Sequence, residues 1–218
     1  AYHRATQLNS ALTASLNAQI KILGQVGQAQ QIKPLKAQLD YIQSLPKPLI
    51  AVIDLLAQGK LVKAEQICKL FLQKNPRNVE GMRLLSQIAL KLGVLDDAEF
   101  LLESALEFSP NNSRIRIEYI QVLRKRQNYA GALHQAKVLL EMDKENPQFQ
   151  SVFAIEAMQS GDFENALIVF DKILEKIPED PVTLTSRGHL LKTCGEREKA
   201  IDSYRRAIKK YPGHGEAY

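Results

Sequence analysis

An all-α chain of stacked helical hairpins is the fold this sequence predicts, and three observations predict it. Alanine recurs every 34 residues, at Ala64, Ala98, Ala132, Ala166 and Ala200. Twelve residues beyond each alanine lies a helix-ending place, held by Pro76, Pro110, Lys144, Pro178 and Pro212. Glycine marks a third place in the same register, at Gly59, Gly93, Gly161 and Gly195. A period of this length kept through five copies is one supersecondary unit repeated. The abundance of Leu, Ala, Gln, Lys and Glu and the absence of Trp favour helix over sheet.

The first 44 residues lie outside that register. Ala5, Leu8, Leu12, Leu16, Ile20 and Leu23 form a helical apolar stripe, which predicts a helix from about Tyr2 to Leu23. The Gly- and Gln-rich run from Gly24 to Gln31 reads as a loop, and Pro34 opens a shorter helix to about Ser44. A helical array exposes the apolar face that its next neighbour would have covered, so residues 1–44 are expected to cap it.

Five repeats follow, at 45–78, 79–112, 113–146, 147–180 and 181–214, each reading as helix, tight turn, helix, turn. The glycines end the first helix of each repeat in a left-handed conformation. The third repeat departs, having Gln127 followed by Asn128, and Asn tolerates that conformation. The second helices carry an apolar stripe in which the alanines let two helices approach closely. Residues before proline avoid the α region, so Asn75-Pro76 and Ser109-Pro110 close helices. Asn146 and Asp180 are placed to cap the helices that open at Pro147 and Pro181. The last residues, 215–218, read as the start of a further helix, expected to continue in a longer protein.

Composition narrows the function classes. The chain has 218 residues, 45% of them hydrophobic, and a formal net charge of +5 spread over 29 basic and 24 acidic side chains. Interspersed charge of this kind is a solvated surface, and the basic residues are not interleaved with exposed aromatics as stacking platforms for nucleic acid require. Nucleic acid is therefore not an expected partner. The longest apolar run, Leu49 to Leu56, is too short to span a membrane, and no signal-peptide pattern opens the chain, so a cytoplasmic location is expected. Cys68 and Cys194 are more than three repeats apart, too far for a disulfide, and Cys68 sits on the apolar stripe as a buried small hydrophobe.

No catalytic pattern emerges. The histidines His3, His134, His189 and His214 make no H-E-x-x-H or local metal spacing, and neither a G-x-S-x-G elbow nor a phosphate-binding glycine loop occurs. The chain is read as non-enzymatic, with no cofactor and no metal.

The alanines, the turn glycines, the aromatics Phe170 and Tyr204 and the closing prolines together resemble the tetratricopeptide repeat over about 170 residues. The fifth repeat fits best, through Gly188, Leu191, Gly195, Ala200, Tyr204, Ala207 and Pro212, whereas Val52 and Ile120 stand where the family prefers a small residue. The resemblance implies a right-handed α-solenoid whose first helices line a concave groove. It places Arg83, Gln87 and Lys91 of the second repeat in that groove, with Arg114, Gln121, Arg124 and Lys125 of the third. Ser151 and Ile155 come from the fourth repeat, and His189 and Lys192 from the fifth. Basic and amide-rich, such a groove suits an extended peptide or protein segment bearing acidic residues. Neither the family's chaperone-tail clamp nor its asparagine ladder is reproduced at these places. Self-association through the terminal repeats is a further expectation. The run Tyr204-Arg205-Arg206-Ala207-Ile208 to Pro212, then Gly215-Glu216-Ala217-Tyr218, is similar to the last-repeat junction of bacterial proteins in which such an array precedes a sulfotransferase domain. That resemblance implies a docking or oligomerisation arm for an enzyme beyond residue 218.

Overall fold

The computed structural model describes residues 16–210, and every regular element among them is a helix. The start of the first helix, Pro212 and the segment 215–218 lie outside the described residues. The chain divides into two compact halves, Ala1–Pro110 and Asn111–Tyr218. The N-terminal half holds α1 (16–25), α2 (Ala29–Ser44), α3 (Lys47–Ala57), α4 (Leu61–Lys74), α5 (Val79–Leu92) and α6 (Leu95–Phe108). The C-terminal half holds α7 (Ser113–Lys125), α8 (Tyr129–Met142), α9 (Pro147–Gln159), α10 (Phe163–Lys176), α11 (Pro181–Thr193) and α12 (Arg197–Lys210).

Within each repeat the two helices pack on each other: α3 with α4, α5 with α6, and so on to α11 with α12. Each second helix then packs on the next first helix of its half, as α4 does on α5, α8 on α9 and α10 on α11. The repeating alanines sit where the helices of a pair cross, and none is more than 2% exposed. A single methyl fills that crossing, and any larger side chain would force the pair apart. The tightest approach is at Gly188, where a Cβ would stand 2.5 Å from a ring carbon of Tyr204. The core of the N-terminal half gathers Leu49, Val52 and Leu55 of α3, Ala64 and Cys68 of α4, and Leu84, Leu85 and Ile88 of α5.

The turns inside the repeats carry φ of +69° to +85° at Gly59, Gly93, Gly161 and Gly195. In the third repeat the left-handed residue is Gln127, with φ of +61°. Asn128 has φ of −82° and serves as the N-cap of α8, accepting from the Gly131 N–H at 3.0 Å. The left-handed strain therefore falls on Gln127, because the asparagine side chain is needed one residue later as a cap.

Caps repeat with the same period as the alanines. Asn78, Asn112, Asn146 and Asp180 stand 34 residues apart. Each accepts a hydrogen bond from the first turn of the helix that follows: Gly81 N–H at 2.8 Å, Ile115 at 3.2 Å, Gln148 at 3.0 Å and Thr183 at 2.8 Å. Each cap satisfies a donor that a helix start leaves open.

The capping segment differs from the sequence expectation. The run from Gly24 to Gln31 is a tight turn rather than a loop: α1 runs on to residue 25, Gly27 takes φ of +74°, and α2 begins at Ala29. Pro34 lies inside α2 instead of opening it. Its ring removes one backbone donor in the second turn of α2, and the glutamines around it are good helix formers. The segment is thus a hairpin of the same kind as the repeats. Leu16 of α1 and Ile42 of α2 pack with Ile50 of α3, closing the core at this end.

Candidate functional site

In the C-terminal half the first helices α7, α9 and α11 are neighbours in order. α9 contacts α11 directly, and Arg124 of α7 pairs with Glu156 of α9. Gln121 and Lys125 of α7 and His189 and Lys192 of α11 are exposed. Between them, on α9, Ser151 and Ile155 are half-buried, as is Met158. The face is therefore an apolar and hydroxyl floor flanked on both sides by cations and an amide. His189 is oriented by Tyr204, whose hydroxyl lies 2.9 Å from Nδ1 while the two rings meet edge to face with centroids 5.4 Å apart. Arg114 is exposed at the start of α7 with its Nε 3.7 Å from Glu118. Thr185, a neighbouring groove place, is buried and spends its hydroxyl on the Pro181 carbonyl at 2.7 Å.

Arg124 belongs to this face but is committed. Its side chain is 37% exposed and its guanidinium grips the fully buried carboxylate of Glu156, both Nε and Nη2 donating. Burial pushes the Glu156 carboxyl up, and the hydrogen bond and charge of Arg124 oppose that shift. The pair joins two adjacent repeats, so Arg124 is first a structural cation.

In the N-terminal half, Lys91 of α5 is exposed and Gln87 half-buried. Arg83 does not face a partner: it is 2% exposed. Its Nε donates to both carboxylate oxygens of Glu80 at 2.9 Å, and its Nη2 lies 3.3 Å from the Tyr41 hydroxyl of α2. Tyr41 also donates to Glu80. The capping hairpin thus reaches over the start of α5 and takes the guanidinium that the groove register assigned to a ligand. Of the three arginines that the resemblance places in the groove, Arg83 and Arg124 are thus held by carboxylates of the chain itself.

Sequence reasoning missed Glu156, Tyr41 and Tyr204 as the side chains that fix these cations and His189, and missed a second buried carboxylate, Asp54. A signal for two of them exists. The tenth place of the repeats reads Asp54, Ile88, Val122, Glu156 and Leu190, and all five side chains are buried. Acids in an otherwise aliphatic place mark built-in charges. Asp54 is 4% exposed, its Oδ2 has no hydrogen-bond partner among the described residues, and burial raises its carboxyl to about 6.

Cys68 is fully buried, its thiol donates to the Gly81 carbonyl at 3.3 Å, and burial, followed by the charge of Glu80, pushes it up to about 12. Cys194 is exposed at the end of α11. Among the described residues no group of three His, Cys, Asp or Glu side chains is placed to hold a metal ion, and no helix is long and apolar enough to cross a membrane.

Comparison with known proteins places this geometry. The model of the cytochrome c-type biogenesis protein H TPR domain matches residues 69–183, and a tetratricopeptide repeat model matches 183–214. A TPR repeat-containing protein of Methanocaldococcus jannaschii is 35% identical over 57 residues, 26% of this chain and 18% of its own. The CTR9 homolog of Arabidopsis thaliana is 33% identical over 61 residues, 28% of this chain. The matched stretches thus span 18% and 6% of those relatives. Among solved structures, YrrB, described as a TPR protein with an unusual peptide-binding site, superposes with a TM-score of 0.65 at 19% identity, covering 84% of this chain and 94% of its own. A tetratricopeptide repeat protein of Parabacteroides merdae gives 0.70 at 16% identity, covering 94% and 82%. MamA of Desulfovibrio magneticus gives 0.68 at 14%, covering 77% and 94%.

Proposed function

We propose, for a chain that belongs to the tetratricopeptide-repeat family, that it is a protein–protein interaction scaffold and that the face of α7, α9 and α11 binds an extended partner segment carrying acidic and apolar residues. The observation that carries this reading is the arrangement of exposed Lys125, His189 and Lys192 around the half-buried Ile155 and Ser151. Cations at the rim steer and orient carboxylates, while the apolar floor supplies the desolvated anchor. The fold likeness to YrrB, a protein described as peptide-binding, supports the class of ligand. Arg124 contributes its outer edge only, because Glu156 holds the rest.

The test uses exposed residues that hold no ion pair among the described residues. A labelled extended peptide alternating Glu and Leu is titrated by fluorescence anisotropy against the chain and against Lys125→Glu/Lys192→Glu. The expected outcome is a Kd at least ~10-fold weaker in the variant, a loss of about 1.4 kcal/mol, with unchanged circular dichroism. A peptide alternating Lys and Leu should bind the variant better than the parent chain. Equal affinity of parent and variant for the acidic peptide would place the ligand elsewhere.

A further inference from the structure

The outer sides of α4 and α6, both in the N-terminal half, carry opposite charge around exposed apolar side chains. α6 bears five acidic residues and no basic one. Phe100 stands near the middle of its outward side, 67% exposed, with the exposed Asp96 before it and the exposed Glu103 and Glu107 after it. Helical spacing puts Asp96, Phe100, Glu103 and Glu107 on one stripe, opposite the buried Ala98, Leu102 and Ala105. α4 is the converse. Val62 and Leu70 are each 61% exposed on its outward side, beside the exposed Lys63 and Lys74. The two stripes lie next to each other. Lys69 of α4, bonded to Glu65, also feels the carboxylate of Asp97 on α6, and Leu101 of α6 packs into the core that α4 helps build.

A positive stripe beside a negative one, each centred on exposed hydrophobes, is self-complementary under a two-fold rotation. Placed face to face, α4 of one copy meets α6 of the other, and the reciprocal contact forms at the same time. Phe100 is open to a partner at 67% exposure, and Glu103, Glu107, Lys63 and Lys74 hold no ion pair among the described residues. We propose that this α4–α6 surface is a dimer interface for a second copy of the chain. Desolvation of Phe100, Val62 and Leu70 supplies the attraction, and the flanking Lys and Glu side chains fix the register. The surface is formed by second helices and is distinct from the first-helix face assigned to a peptide.

Charge reversal tests the pairing. Sedimentation velocity over about 1–200 µM, a span bracketing the ~8 kcal/mol of a micromolar dimer, should show a species of twice the 24.5 kDa chain mass. The dimer should weaken with added salt. Glu103→Lys/Glu107→Lys and Lys63→Glu/Lys74→Glu should each sediment as monomers. Mixed in equal amounts the two variants should form a heterodimer, because each then offers the charge the other lacks. Phe100→Gln should raise the dissociation constant at least tenfold with circular dichroism unchanged. A parent chain that stays monomeric throughout, a dimer indifferent to either charge reversal, or a mixture that stays monomeric would overturn the proposal.

Discussion

Two buried acids share one repeat place, burial pushes both carboxyls up, and what differs between them is a partner. Glu156 has Arg124, whereas Asp54 has an Oδ2 with none among the described residues. Asp54 therefore makes stability depend on pH with a definite sign. Below the ordinary aspartate value of 3.8 the carboxyl is protonated whether the chain is folded or not, and the site costs little. As pH rises toward about 6 the unfolded chain ionises first, so folding stability falls, and above about 6 the loss is complete. That loss amounts to roughly 3 kcal/mol. Asp54→Leu, which installs the residue found at this place in the fifth repeat, should remove this contribution to the pH dependence and raise stability above pH 6 by up to that amount, read by urea unfolding at several pH values. Arg124→Ala should cost roughly 3 kcal/mol by leaving Glu156 buried alone, and Arg124→Ala/Glu156→Leu should recover most of it. At the same scale, a thiol reagent should titrate Cys194 in the folded chain and Cys68 only after unfolding, since the buried thiol is held protonated. The burial of Cys68 was legible from its place on the alanine stripe. The commitments of Arg83 and Arg124 were not, because a groove register states where a side chain starts and not which carboxylate or hydroxyl reaches it.

The helices themselves were the most legible level. Period, turn glycines and prolines locate α3 to α12, since every contact that shapes them comes from the same repeat or the next. The first hairpin was read less well. Gly24 and the glutamines carry no apolar stripe strong enough to mark a helix, yet the left-handed Gly27 and packing of Leu16 and Ile42 on Ile50 hold α1 and α2 in place. The periodic caps are also an element-level device, of which Asn146 and Asp180 were foreseen and Asn78 and Asn112 were not. Asn112→Ala should lower stability by about 1 kcal/mol through the open Ile115 N–H, with Asn112→Asp close to neutral. Gly188→Ala should be costlier, about 1–3 kcal/mol, because its Cβ meets the rigid Tyr204 ring rather than a side chain that can swing away. Its signature in an NMR spectrum is a shift of the His189 ring resonances, as Tyr204 is displaced from it.

At the scale of the whole chain, the two compact halves each own their helix pairs and their caps. Contacts confined to neighbours make damage local. Ala166→Leu, overpacking the crossing of α9 and α10, should speed hydrogen exchange first in α9 to α11, whereas Ala98→Leu should do so first in α5 and α6. Uniform acceleration along the chain after either change would contradict a nearest-neighbour architecture. Family membership and fold were readable from the sequence at this scale because the period repeats five times. The division of labour among surfaces was not. First-helix faces and second-helix faces both carry Lys and Glu at helical spacing, and only packing shows which side each helix turns outward.

The Arg124–Glu156 pair also constrains the chain's lineage. Repeats of identical length, turn and cap are open to shuffling, loss and duplication, since any whole copy can be excised without breaking the frame. Glu156 makes that untrue at one joint. A preceding repeat with a cation at its twelfth place keeps that carboxylate paired, and the second repeat offers Leu90 there. Excision of the third repeat would confront a buried carboxylate with a leucine. Keeping the third and fourth repeats in this order is what keeps Glu156 paired, at an expected loss of roughly 3 kcal/mol when the order is broken.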